Sequence, residues 1–278
     1  MAYRRIPAPA VLGLAIIAGV ALAALTADGI SPSLPESQHL EDRLDPPSWA
    51  GGQQGYVLGS DQLGRDILSR VLHGSRVSLT VGIAAVALSG TVGVALGLLA
   101  GYFGGLWDRV IMRFADIQQS IPALALAIAV VAVLRPSIVN LIVVLAVTTW
   151  VAFARVVRSE VLALRHTLLV EAARVIGATD ARIIARHILP NVAASIIVIA
   201  SLMVANMILF EASLSFLGLG APPSTPSWGR MVFQGLEYVS TAWWIPVFPG
   251  LAVMVTVLGT NLVGDWLRDV LDPRQRVR

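Results

Sequence analysis

The sequence lacks cysteine altogether. That excludes a disulfide framework, a thiol nucleophile and any cysteine-ligated metal. Lysine is missing too: all 20 basic residues are arginine. A Walker A phosphate loop needs its lysine, so the chain cannot form one, and Schiff-base catalysis is equally excluded. Charge is scarce. Only 13% of the 278 residues are charged, whereas a soluble domain carries about 25% to cover its surface. The four histidines, His39, His73, His166 and His187, are scattered in the polar segments without ligand spacing, so no metal site and no catalytic residue are expected.

What is present is apolar sequence, 56% of the chain. A helix needs about 20 mostly apolar residues to cross the hydrocarbon of a bilayer. Six stretches qualify: 9–27, 77–101, 110–134, 137–154, 191–210 and 245–264. The expected fold class is therefore an all-α integral membrane protein with six transmembrane helices. Arg4 and Arg5 precede the first stretch, which is longer than the apolar core of a usual signal peptide; an uncleaved anchor is the favoured reading. Residues 1–27 then form a short N-terminus with the first span and 28–76 an external segment. That segment is rich in Pro, Ser, Gly and charge, and is expected to turn helical from Asp61 onward. Residues 77–278 form the core.

Arginines accumulate on the cytoplasmic side of membrane proteins. With a cytoplasmic N-terminus, 14 arginines fall inside and 6 outside, and an even number of spans returns the C-terminus to the cytoplasm. The third stretch is interrupted by Pro122, beside Asp116, Gln118 and Gln119, and prolines there kink helices. Packing geometry is the first reading of Pro122 and a place on a translocation path the second. In the second stretch Ser89, Gly93, Gly97 and Gly101 recur every four residues, so small residues line one helix face and let another backbone approach. Packing within the subunit is favoured over packing against a partner. Trp228, Trp243 and Trp244 read as headgroup-level anchors. Glu211 is expected at a water-facing outer helix end. Asn206, one turn earlier, is a candidate for the path.

One cytoplasmic stretch does not fit a lipid-dissolved chain: EAARVIGATDARIIARHILPN, residues 171–191. Val170, Ala173 and Ile176 share a helical face. Gly177 suits a left-handed C-terminal turn, and Thr179 or Asp180 can cap a second helix. That helix would carry Ile184 and Ile188 on one face and Arg182 and Arg186 on another. Pro190 either ends it or starts the fifth span. Such short helices are not stable alone in water, so something must cover their apolar faces. Lipid headgroups, DNA read by a helix-turn-helix and a cytoplasmic protein are the three possibilities. Tethering between two spans, with no separate soluble domain, counts against nucleic acid.

The spacing of EAA, three residues, G, nine residues, HILP resembles the EAA loop of bacterial ABC-importer permeases. The match falls on Glu171, Ala172, Ala173, Gly177, Leu189 and Pro190, with His187 as in the peptide-transport branch. The segments LGSDQLGRDILSRVLHGSRVSLTVG (58–82), DRVIMRFADIQQSIPALALAIAV (108–130), LSFLGLGAPPSTPSWGRM (214–231) and FPGLAVMVTVLGTNLVGDWLRDVLDPR (248–274) resemble that branch in register. The likeness covers nearly everything after residue 57. It is to the shorter permease type of the dipeptide/oligopeptide/nickel family.

This resemblance implies an ABC importer type I permease fold and a multi-pass protein of the bacterial cytoplasmic membrane. The loop at about 160–190 would dock on an ATPase, with Glu171–Ala173 entering its groove and Gly177 setting the turn. Arg174, Arg182 and Arg186 would pair with acids on the ATPase or with lipid. The implied partners are a homologous second permease, two ABC ATPase subunits that bind the ATP and magnesium, an external substrate-binding protein and membrane lipid. No cofactor is expected in this chain. Import of di- or oligopeptides is the leading function, and nickel or another small solute the alternative. An ATP-independent channel or carrier and a membrane scaffold are the readings from other classes. The sequence carries no Asp, Glu, His or Arg near the middle of spans two, four, five or six, which counts against a proton-coupled carrier.

Overall fold

The structure, a computed structural model, describes residues 6–134, 137–222 and 224–271. Regular structure among them is helical. Helix α1 spans Ala8–Ile30, α2 Ile67–Phe103, α3 Gly105–Gln119, α4 Ala123–Val133 and α5 Ile138–Leu164. A short helix α6, Leu168–Val175, precedes α7, Asp180–Ile183. The chain then passes through one π-helical stretch, Ile184–Ile188, into α8, Leu189–Phe216. Helices α9, Trp228–Gly235, and α10, Trp244–Leu271, follow.

Five helical segments are long and apolar enough to cross a membrane: α1, α2, α5, the continuous run 180–216, and α10. The sixth crossing is not the kinked helix expected at 110–134. Helices α3 and α4 are separate and meet at 85°. Pro122, extended at φ −53° and ψ 125°, stands at the N-cap of α4, where its missing N–H leaves no helical bond unmade. Chain direction identifies the pair as a crossing. On α2, Gly93 lies against Trp150 and Phe153, Gly97 against Ala154 and Val157, and Gly101 against Arg158 and Val161. Both helices advance together, so α2 and α5 are parallel, and the segment between them must return the chain to the outer side.

The small-residue stripe thus packs inside the subunit. A Cβ at Gly97 would stand 2.6 Å from the Ala154 carbonyl oxygen, and one at Gly101 2.7 Å from the Val161 Cβ. Without a hydrophobic force between helices in lipid, this contact is what holds α2 to α5. Around it lies one apolar cluster built from α2, α4, α5 and α8, including Val81, Val131, Leu145, Phe153 and Leu214. At the inner end, Arg158 makes two charge-assisted bonds to Asp108, one of them 2.7 Å from Nη2 to Oδ2. Arg155 pairs with Asp116 at 2.6 Å. These hold α3 along α5.

Helix α2 begins ten residues before the apolar stretch starting at residue 77. Asp66 caps it by accepting from the Ser69 N–H at 2.7 Å and the Ser69 hydroxyl at 2.5 Å. At about 1.5 Å per residue, its 37 residues extend well past a hydrocarbon core about 30 Å thick. The overhang is folded into the outer segment. Asp61 accepts from the Arg65 Nε at 2.7 Å, and Arg70 approaches it at 3.6 Å. All three side chains are buried.

Two tryptophans depart from the anchoring role expected of them. Trp228 and Trp244 are buried, and their indole N–H groups donate to the carbonyls of Val71 (2.9 Å) and Ser60 (3.0 Å). They tie α9 and α10 to the outer segment. Trp243 is partly exposed, as a headgroup-level ring would be.

Candidate functional site

The stretch 168–190 folds as an elbow at the inner end of the bundle. Its first arm, α6, ends in a Schellman motif. The Ala178 N–H bonds the Ala173 carbonyl and the Gly177 N–H bonds the Arg174 carbonyl, both at 3.0 Å. Gly177 takes φ +79°, the left-handed conformation the motif requires. Nothing stands within 4 Å of where its Cβ would be, so the glycine serves the backbone and not a close contact. The Thr179 hydroxyl then caps α7 by accepting from the Arg182 N–H.

The second arm is not a separate helix. It runs without interruption into the fifth span, and the π-helical stretch makes that possible. Pro190 has no N–H, and its ring would clash with the carbonyl four residues back in an unbroken α-helix. Just before it the ladder widens, so that the Leu189 N–H bonds the Ile184 carbonyl, five residues back. The His187 carbonyl is met by the Asn191 side-chain amide at 2.5 Å. Of the two roles open to Pro190, it starts the span.

Burial sorts the elbow residues into two groups. Val170, Ala173, Ile183 and Ile188 are buried against Tyr102, Val157, Val161 and Val192. Ala173 is thus the inward-facing member of the Glu171–Ala173 triplet, while Glu171 and Ala172 are exposed. Arg174, Arg182, Leu189 and Pro190 are exposed and His187 half-buried. Ile176, expected on the face of Val170 and Ala173, is instead 84% exposed, because α6 has already ended at Val175. Leu168, Leu169 and Val175 are exposed beside it. Tyr102 of the bundle makes polar contact with both arms of the elbow: its hydroxyl donates to Asp180 Oδ1 at 2.6 Å, and the Arg174 guanidinium lies 5.4 Å from its ring centroid.

Further into the bundle, a cavity of about 590 Å³ opens between α5, α8 and α10. Its lining includes Glu160, Asn191, Ser195, Leu202 and Arg268, with Ser195 donating to Glu160 at 2.8 Å. Asn206 is exposed one turn beyond Leu202, its side-chain amide donating to the Leu202 carbonyl at 3.2 Å. Pro122 is exposed at the α3–α4 break.

Sequence reasoning missed Glu211. It is not at a water-facing helix end. It is fully buried, accepting from the Ser78 hydroxyl at 2.9 Å and the Ser215 hydroxyl at 2.6 Å. A serine one turn along the same helix and another on a neighbouring helix are an ordinary pattern, so only a glutamate within an apolar run signalled it. The outer segment carries shifted groups as well. Burial, chiefly, pushes the Asp66 carboxyl up and the Arg230 guanidinium down, the latter with the Arg65 charge adding to it. Burial and the Asp42 carboxylate push Tyr56 up to about 12. His39, Glu41 and Asp42 bring ligand atoms within 4.8 Å of one another, yet the Asp42 oxygens already accept from Gln53 and Tyr56.

Five apolar crossings, a sixth formed by the bent α3–α4 pair, and an exposed elbow between the fourth and fifth spans make this a multi-pass membrane protein. The chain belongs to the family of binding-protein-dependent transport system inner membrane components, whose model matches residues 93–277. It is 41% identical over 263 residues to the di/tripeptide transport system permease DppC of Pseudomonas aeruginosa, covering 94% of this chain and 87% of that protein. It is 41% identical to the dipeptide permease DppC of Haemophilus influenzae, over 95% of this chain and 90% of that one. The glutathione transport permease GsiD of Pectobacterium atrosepticum is 43% identical, over 94% and 85%. Among solved structures, an inward-facing MetNI methionine ABC transporter aligns with a TM-score of 0.61 at 20% identity, over 73% of this chain and 96% of that one; that likeness concerns the fold.

Proposed function

We propose that this chain is a permease subunit of an ATP-driven importer of short peptides in the bacterial cytoplasmic membrane. It forms the translocation path with a homologous second permease and receives solute from an external binding protein. The observation that carries the coupling role is the elbow's exposed apolar edge. Leu168, Leu169, Val175 and Ile176 face outward around a helix of only eight residues. Contiguous apolar side chains in that position call for a covering partner. An ATPase groove fits them, with Glu171, Arg174, Arg182 and Arg186 at its rim and Gly177 fixing the angle between the arms. The chain has no lysine for a phosphate loop, so hydrolysis belongs to the partners and this subunit is not itself an enzyme.

Short peptides are the substrate class that the relatives' names share, since glutathione is itself a tripeptide. They favour peptides over nickel. Within the bundle, the cavity between α5, α8 and α10 with Asn206 one turn further out supports a path along α8. Nucleotide closure of the ATPase pair would move the docked elbow and bias the bundle between inward and outward openings, a population shift of one bistable element. The test is reconstitution with a second permease, the ATPase pair and a peptide-loaded binding protein. Labelled di- and tripeptides should enter vesicles only while ATP is hydrolysed. Entry that persists without hydrolysis would establish a channel or carrier instead, and an assembled complex that moves no solute would establish a scaffold.

A further inference from the structure

Tyr102 touches both arms of the elbow. It is the penultimate residue of α2 and only 5% exposed. Its hydroxyl donates to Asp180, the first residue of α7, and its ring face lies under Arg174, on the last turn of α6. Between those two partners the chain makes its Gly177 turn. The apolar packing of the elbow on the bundle is non-directional and α7 is held by its continuity with α8, so the Tyr102 bonds are directional contacts that set how both arms sit against α2. A phenol O–H bonded to a carboxylate is a charge-assisted pair, and a guanidinium over an aromatic face is attracted by the ring quadrupole.

Helix α2 carries this contact to the far side of the molecule. It is locked to α5 through Gly93, Gly97 and Gly101. At its outer end the Val71 carbonyl accepts from Trp228 and the Arg70 guanidinium reaches Gln234 at 3.3 Å, both on α9. One rigid helix therefore joins the inner elbow to the outer cap.

We propose that Tyr102 is a positioning residue for energy coupling: it clamps both arms of the elbow to α2, so that movement of the elbow is delivered to α2 and through it to the outer cap. The assignment rests on the reading of the elbow as the ATPase-docking element. It adds a route by which the movement reaches α2, beside the direct continuity of α7 with α8, and it makes Tyr102 and Asp180 necessary to efficient transport.

The test uses the complete complex in proteoliposomes and reads two quantities: ATPase co-purifying with the permease, and peptide taken up per ATP hydrolysed. Tyr102→Phe keeps the ring and removes the hydroxyl; Asp180→Asn removes the charged acceptor. Each should lower uptake per ATP by about tenfold, the scale of one hydrogen bond to a charged group, with normal co-purification. The double variant should be no worse than either single one, because both remove the same bond. Wild-type uptake per ATP in Tyr102→Phe, with the complex assembled, overturns the clamp. So does loss of co-purification in that variant, which would make Tyr102 a docking residue only. Failure of the unmodified chain to bind the ATPase overturns the docking reading itself, and the clamp with it.

Discussion

Gly177→Ala isolates the geometry of the elbow from its contacts. The backbone there is at φ +79° and no heavy atom lies within 4 Å of the added methyl. The substitution therefore introduces no clash and removes no contact. What it adds is the conformational penalty of an L residue in the left-handed region, about 1–2 kcal/mol. The elbow can hold its shape under that strain or relax the turn. Relaxation breaks the Ala178–Ala173 and Gly177–Arg174 bonds and swings α6 away from α7. With tenfold in an equilibrium for each 1.4 kcal/mol or so, the competent elbow becomes roughly 5- to 30-fold less populated relative to open forms. If the competent elbow is what docks, and is only marginally favoured once α6 is free, the apparent affinity for the ATPase falls toward that factor.

The assay is titration of detergent-solubilised or nanodisc-held permease with ATPase, followed by uptake in vesicles. Gly177→Ala should weaken binding and uptake together while membrane insertion and the thermal stability of the bundle stay as in wild type. Gly177→Asn is the discriminating control. Asparagine enters the left-handed region more readily than alanine, so it should recover most of the loss despite its larger side chain. Glu171→Ala should lower uptake with the turn intact. Equal ATPase affinity in Gly177→Ala and wild type would refute the argument. So would Gly177→Asn behaving worse than Gly177→Ala, since that would make side-chain volume and not backbone angle the limiting factor.

Three further outcomes follow from the packing. Gly97→Ala puts a methyl 2.6 Å from the Ala154 carbonyl oxygen and should destabilise the α2–α5 pair by about 1–3 kcal/mol, read as a lower melting temperature in detergent; Gly19→Ala, with nothing within 4 Å, should not. Glu211→Ala leaves the Ser78 and Ser215 hydroxyls without their acceptor and should cost about 1–3 kcal/mol per unpaired group, while Glu211→Gln, which keeps a carbonyl oxygen, should cost less; equal melting temperatures would show that these two bonds contribute nothing to stability. Tyr56, raised to about 12, favours the folded outer segment below the ordinary phenol value of about 10 and loses that contribution as pH rises through 12, so the phenolate absorbance missing in Tyr56→Phe should titrate near pH 12, and a midpoint near 10 would contradict the Asp42 contact.

The crossings were legible because lipid imposes a length and a composition that sequence displays directly. Apolar runs at 9–27 and 245–264 correspond to α1 and α10 within a few residues, apart from the inner extension of α10 to Leu271. Helix ends beyond the hydrocarbon obey different rules and were placed less well. The polar beginning of α2 contains Arg70, His73 and Arg76, which hydropathy alone rejects; helix was expected from Asp61 onward, and the carboxylate of Asp66 starts it at Ile67. The break at Pro122 was visible and its angle was not. Proline fixes one dihedral and removes one donor, whereas 85° is set by α3 pairing with Arg155 and Arg158 while α4 packs into the cluster around Val131.

The elbow shows the same division between local and non-local signals. Gly177 and Thr179 were readable because a left-handed turn and an N-cap depend on single residue types. Ile176 was misassigned by periodicity, since a three-residue repeat continues on paper past the point where the Schellman turn has already ended the helix. Pro190 left two outcomes open, and the ring clash alone does not choose between them. What decides is the burial of Ile183, Ile188 and Val192 along one continuous face. A helix broken at Pro190 would turn at least one of the three toward solvent, whereas a single π-type widening keeps all three buried and leaves the second arm fused to the fifth span. The two arms are therefore unequal: α6 hangs on a hinge at Gly177, and α7 is an extension of a membrane-crossing helix. Motion imposed on a docked elbow would reach α8 directly through the chain and α5 through the short link 165–167, whereas it would reach α2 through the contacts of Tyr102 with Arg174 and Asp180, the Arg165 bond to the Gly101 carbonyl and the apolar packing behind them.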